Sequence, residues 1–112
     1  MKRSVKNKEL QHQLNTAFVI CAARGETDIV HCMLRAGADI HAYGDAALMR
    51  AAEEGHPKLV EYLLISGADP HGDQALICAA RRGQTSTMKV LYDWVREHKP
   101  KSEPTHPGSP AP

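Results

Sequence analysis

The sequence predicts an all-α fold, a solenoid of about three stacked helix-turn-helix units with short turns between them. One pattern carries that reading, written nearly three times. Cys21-Ala22-Ala23-Arg24-Gly25 is followed by Ile29-Val30, Met33-Leu34 and Gly37-Ala38-Asp39. Ala51-Ala52-Glu53-Glu54-Gly55 is followed by Leu59-Val60, Leu63-Leu64 and Gly67-Ala68-Asp69. Gly25 to Gly55 and Gly37 to Gly67 share one offset of 30 residues, and Gly83 follows Gly55 by 28, after Ala79-Ala80. Paired glycine markers at a fixed period mark stacked repeats, each of which buries its apolar faces on its neighbours. A chain of 112 residues holds one such domain, near the minimum number of units for a continuous core.

Taken in order, residues 1–14 form a flexible basic N-terminus with a short cap. Lys2, Arg3, Lys6 and Lys8 precede any acid, and Glu9 to Leu14 covers the first hairpin through Leu10 and Leu14. The repeat domain spans 15–98, in units of about 15–44, 45–72 and 73–98. Its helices are expected near 16–24, 27–36, 46–54, 57–66, 74–82 and 85–98. Asn15, Asp45 and Asp73 stand just before the three alanine-rich helices, where a side-chain oxygen would accept from the free N–H groups of a helix start. Leu48, Ala51 and Ala52 lie at i, i+3 and i+4 and make one apolar face. Phe18, Cys21 and Ala22 repeat it before, and Leu76, Ala79 and Ala80 after. Small residues on that face let neighbouring helices approach closely.

Gly25, Gly55 and Gly83 end the first helices, where a left-handed backbone costs least. Pro57 opens the second helix of the middle unit, at a position whose N–H has no helical partner. Gly37 and Gly67 close the second helices. Val30, Leu34, Val60, Leu63, Leu64 and Leu91 complete the expected core. Ser86, Lys89, Asp93, Arg96 and Glu97 give the last helix a polar outer face suited to a terminal unit. From Lys99 the chain has five prolines in fourteen residues, so 99–112 reads as a disordered tail.

The Gly-His pair after the first helix and the Gly-Ala-Asp after the second, here Gly55-His56 and Gly67-Ala68-Asp69, resemble ankyrin repeats. The likeness covers roughly residues 15–98. The first unit has Glu26 and the third Gln84 in the place of His56, and the third lacks the closing Gly-Ala-Asp. The Thr-Pro-Leu-His opening of family units is replaced throughout, with Thr16 alone surviving from it. The spacing is shorter than the usual 33 residues, with the deletions in the projecting turns. Such units resemble the ankyrin repeats of large DNA viruses and some bacteria, which would place the protein in a host cytoplasm. His56 is expected to be structural, hydrogen-bonded to backbone in the loop beside it.

The resemblance implies a concave binding face made by the turns and the exposed side of each first helix. On this chain that face takes Tyr43 and Asp45 from the first turn and Arg50, Glu53 and Glu54 from the middle helix. Ile20, Ala23 and Arg24 flank them on one side, and Cys78, Arg81 and Arg82 on the other. The exposed pairs make an acidic stripe between basic groups. Two readings of it stand open: a charge-patterned docking groove, or a solvated surface laddered by Glu–Arg pairs of little individual worth. Tyr43 is either an aromatic anchor for a partner or a ring packed on its own loop.

Fourteen Lys and Arg against thirteen Asp and Glu leave no global field for nucleic acid. Residues 15–98 carry eight basic and eleven acidic groups, a formal net of −3. No apolar stretch is long enough to span a bilayer. Cys21, Cys32 and Cys78, without CxxC spacing, are read as reduced, buried thiols of the cytoplasm. Seven histidines invite a metal site, but none has ligand spacing. No nucleophile–base pairing and no phosphate loop is present, so neither enzyme activity, cofactor nor small-molecule substrate is expected. The expected function is a monomeric, non-enzymatic module, adaptor or inhibitor, that binds a protein partner. The alternative is an architectural, self-associating repeat fragment without a separate ligand.

Overall fold

The computed structural model describes residues 8–97. The expected flexible start at residues 1–7 and the proline-rich tail from residue 99 lie outside the described residues. Six helices follow in order: α1 (Lys8–Ala23), α2 (Thr27–Arg35), α3 (Ala42–Glu54), α4 (Pro57–Ile65), α5 (Gln74–Arg81) and α6 (Thr85–Glu97). Among the described residues there is no strand. Helices α1, α3 and α5 stack side by side as one layer, and each is backed by its own hairpin partner, α2, α4 or α6.

Two helices begin earlier than their sequence signals. The segment from Glu9 to Leu14, expected as a separate cap, is continuous with the first repeat helix, so Asn15 lies inside α1 rather than at its start. The first turn of α3 includes Tyr43, Gly44 and Asp45, whose φ values of 55°, 67° and 62° are left-handed. Right-handed helix resumes at Ala46, where the sequence placed it. Asp73 does precede α5, but makes no capping hydrogen bond. The three residues read as caps therefore cap nothing.

The core is continuous through the stack. Phe18, Ala22, Val30, Leu48, Ala51, Ala52, Val60, Leu63, Leu64, Ala79 and Leu91 are buried as expected. Leu34, Leu76 and Cys21 are only half-buried, and Ala80 is exposed. Position explains these exceptions. Ala80 stands where Ala22 and Ala52 stand, and those two are covered by the next unit, whereas among the described residues none stacks beyond α5 and α6. The same holds in reverse at the other end. Ile29 is 46% exposed, whereas Leu59 and Thr87, its counterparts, are 1% exposed against the preceding unit. Ala47, Leu59 and Ala75 join the core. The thiols are unpaired, as expected, but not buried: Cys32 is exposed and Cys21 and Cys78 are half-buried.

Thr87 enters the core where the middle unit has leucine, and its Oγ1 is buried without a hydrogen-bond partner among the described residues. That buried hydroxyl is a local cost at the last interface. At the centre of the stack, Leu63 is fully buried. Leu63→Ala should cost about 2–5 kcal/mol, the range for a large-to-small change in a packed core. Urea titration followed by circular dichroism measures it, and a midpoint equal to the parent's would mean α4 is not packed as described.

Candidate interaction surface and the ties that build it

Two kinds of side-chain-to-backbone tie build the stack, one between units and one within them. The first sits at the elbow between paired helices. The backbone turns through Gly25, Gly55 and Gly83, all at positive φ, and the next residue reaches back to the unit before. His56 donates from Nε2 to the Ala23 carbonyl at 2.9 Å. Gln84 donates from Nε2 to the Glu53 carbonyl at 3.0 Å. Both carbonyls belong to the last turn of a helix, where backbone acceptors run out of helical donors. The imidazole and the amide do one job. Glu26, at this place in the first unit, has no earlier unit to reach and pairs with Arg24 at 3.7 Å. The ties also account for the glycines: a Cβ on Gly25 would lie 2.6–2.9 Å from the His56 ring, and one on Gly55 would collide with the Gln84 amide.

The second tie closes the first two hairpins. Asn15 Oδ1 accepts from the Asp39 N–H at 2.9 Å, and Asp45 Oδ2 accepts from the Asp69 N–H at 2.8 Å. Both pairs are 24 residues apart. Asp39 and Asp69 then turn the chain, each accepting through Oδ1 from the amide two residues on, His41 and His71. Asp73 has no equivalent duty because the third unit lost its Gly-Ala-Asp. Residues that resemble helix caps in the sequence are loop clamps in the fold.

Asp45, placed on the docking face from sequence, is 3% exposed and leaves that face. Its carboxylate also accepts from His41 Nδ1 at 3.0 Å and from His71 Nε2 at 3.1 Å. Burial opposes its ionisation, but the Asp69 amide and the two imidazoles outweigh that cost and hold the carboxyl below the ordinary aspartate range. Tyr43 keeps its ring 53% exposed. Its hydroxyl is held by Thr16 Oγ1 and His12 Nδ1, both at 2.9 Å, and the ring meets His12 edge-on. The surviving Thr16 thus still fastens a turn, through a tyrosine that pins the first loop to α1.

The remaining predicted residues share the open side of α1, α3 and α5. Ile20, Arg50 and Cys78 form one row, and Arg24, Glu54 and Arg82 another. Ile20 and Ile77 are each 50% exposed, and Arg24, Arg50, Glu54, Arg81 and Arg82 are exposed. The acidic stripe is largely matched from within. Arg82 lies 3.8 Å from both Glu53 and Glu54, and Arg50 lies 3.5 Å from Glu53. What stands open is a charge-laddered centre with Ile20 exposed toward one end; Ile77, in register with the core-packed Val19 and Met49, is bared at the end of the stack beside Ala80.

Catalytic chemistry finds little footing. The Cys21 thiol is pushed up by burial and by its hydrogen bond to Glu26, the wrong direction for a nucleophile. No group of histidine, cysteine and acid side chains suited to a metal ion occurs among the described residues, and no helix there is long and apolar enough to cross a membrane.

The sequence profile of the family described as Ankyrin repeats (3 copies) matches residues 2–71, more than half of the chain. The protein belongs to the ankyrin-repeat family. Relatives fit that placement. The human Ankyrin repeat and KH domain-containing protein 1 is 37% identical over 75 residues, covering 62% of this chain and 3% of its own length. The Ankyrin repeat domain-containing protein SAT10 of Stachybotrys chartarum is 35% identical over 95 residues, covering 78% and 5%. The Probable E3 ubiquitin-protein ligase XBOS32 of Oryza sativa is 33% identical over 91 residues, covering 72% and 18%. This ankyrin-repeat chain therefore spans a small part of each relative, and the likeness lies in the repeats. Ankyrin repeats generally mediate protein–protein interaction and are generally non-enzymatic.

The elbow tie yields a direct expectation. His56→Ala should destabilise the domain by about 1–3 kcal/mol, since the Ala23 carbonyl loses its partner in a half-buried place. His56→Gln should recover most of that loss, because Gln84 already performs the same task. Thermal melts of the two variants beside the parent decide it.

Proposed function

We propose that this ankyrin-repeat protein is a non-enzymatic docking module, adaptor or inhibitor, that binds a protein partner in the cytoplasm across the open side of α1, α3 and α5. The observation that carries the reading is the exposure of Ile20, in a row with Arg50 and Cys78, on a helix whose opposite face is buried. Beside it the Glu53, Glu54 and Arg82 cluster supplies polar specificity. An apolar anchor beside a charged centre suits a partner surface of mixed character. Ankyrin repeats in large relatives such as the human KH-domain protein agree with a role in holding other macromolecules.

The internal pairing changes what charge reversal should do. Glu53→Lys with Glu54→Lys places two cations beside Arg82 and Arg50. The fold should lose about 0.2–1 kcal/mol for each surface pair broken, while a partner that uses the acidic centre should be lost altogether. Pull-down with the parent and the double variant, each checked by a thermal melt, separates binding from stability. Retention of the captured partner at moderate salt would move the docking site to the turns or to the side of α2, α4 and α6.

A second reading, self-association by end-to-end stacking, draws on the ends of the solenoid. Ala80 and Tyr92 are exposed at one end where Ala52 and Leu64 are buried inside, and Ile29 is exposed at the other. Charge opposes that junction: continuing the repeat would place Arg24 of a second copy beside Arg81 and Arg82. Sedimentation velocity at rising concentration should accordingly show a constant monomer, and a growing species would favour stacking.

A further inference from the structure

We propose that Asp45, His41 and His71 form a pH-responsive clasp that sets the conformation of the first inter-repeat loop and the presentation of Tyr43. The argument starts from the first unit, where the same clamp is neutral. Asn15 holds the Asp39 amide with an uncharged oxygen at 2.9 Å, as Asp45 holds the Asp69 amide at 2.8 Å. Loop closure therefore needs only an acceptor. The negative charge of Asp45 is surplus to that task, and it is nearly out of solvent.

What the charge does is collect two imidazoles. His71 lies 26 residues after Asp45 and donates to it. His41 has the same offset from Asn15 (41 − 15 = 26), yet its Nδ1 donates to Asp45 instead, at 3.0 and 3.2 Å to the two oxygens. That bond spans Tyr43, Gly44 and Asp45, the left-handed run at φ 55°, 67° and 62°. L-residues other than glycine seldom adopt that conformation, and it persists only where surrounding contacts over-determine it. Here the contacts are the clasp on one side and the Tyr43 hydroxyl bonds to Thr16 and His12 on the other.

The groups facing His41 are all acidic or shared: Asp45 at its own turn, Asp39 just before it, and Asp69 from the second loop, which also lies 3.9 Å from His71. The Asp45 hydrogen bond and charge raise the His41 pKa above the ordinary 6.5, with Asp39 and Asp69 adding to them. The Asp45 carboxyl is depressed below the ordinary 3.8. A raised histidine stabilises the fold fully below 6.5, and that contribution is lost as pH rises through its folded value. A depressed carboxyl contributes above 3.8, and its contribution is lost as pH falls through its folded value. The clasp is tightest between those limits and loosens on the alkaline side, across the range in which histidines act as switches.

The test needs no partner, so it stands apart from the docking reading. NMR titration of the His41 ring, together with hydrogen exchange of the amides of residues 41–45, compares the parent with Asp45→Asn and His41→Gln. Asp45→Asn keeps the acceptor for Asp69, as Asn15 does in the first unit. His41→Gln keeps a donor without a titrating ring. In the parent the loop amides should lose protection as His41 deprotonates, beyond the intrinsic change of exchange with pH. In Asp45→Asn the His41 midpoint should fall toward that of a free histidine, and in both variants the extra loss of protection should vanish. An unchanged His41 midpoint in Asp45→Asn, or loop protection indifferent to pH in the parent, overturns the clasp.

Discussion

The stack depends on how closely α1, α3 and α5 approach one another. Ala22, Ala51, Ala52, Ala75 and Ala79 are fully buried, and a longer side chain at any of them would push neighbouring units apart. That approach brings His56 within hydrogen-bond reach of Ala23 and Gln84 within reach of Glu53. It also leaves no room for a Cβ at Gly25 or Gly55. Small residues, the elbow glycines and the reaching side chains are one requirement expressed at three places. Burial supplies most of the free energy, since no hairpin has a core of its own. The ties supply register.

The period was the legible part of the sequence. Helix number, the elbow glycines, Pro57 at a helix start and the centre of the core all follow from spacing, because local backbone preference and helical periodicity agree there. The errors cluster where a contact spans units or ends. Asn15, Asp45 and Asp73 carry the composition of helix caps, and only the folded loop reveals that the first two clamp amides 24 residues away. Leu76 and Ala80 have core composition in a unit beyond which, among the described residues, nothing is stacked. Gln84 was read as a departure from the family histidine, yet it makes the same bond. A signal was present: a long amide side chain directly after the elbow glycine can donate as an imidazole does. The candidate surface was less legible than the fold. Tyr43 and the Glu53–Glu54 stripe were identified by position, but their hydroxyl and Arg82 partners depend on inter-unit distance.

The open face shows how a repeat reconciles scaffold with surface. The burial pattern fixes two sides of each helix, and the third varies freely: Ile20, Arg50 and Cys78 occupy one equivalent position. Charge on that side is constrained mainly by neighbours in the adjoining units, as Arg82 shows with Glu53 and Glu54. A partner competes with pairs the protein already makes, so charged positions tune selectivity more than strength, and exposed aliphatic positions supply the area.

The elbow tie has a consequence for how the chain changes length. Successive elbows lie 30 and then 28 residues apart, and both reach the carbonyl two residues before the preceding glycine, Ala23 before Gly25 and Glu53 before Gly55. The joint is indifferent to the two missing residues, which fall in the turn between units. Each stretch from one elbow to the next thus behaves as a cassette with standardised ends and elastic contents. Insertion, deletion or duplication inside it leaves the joint intact, so such an array can grow by recombination without re-inventing how its parts connect.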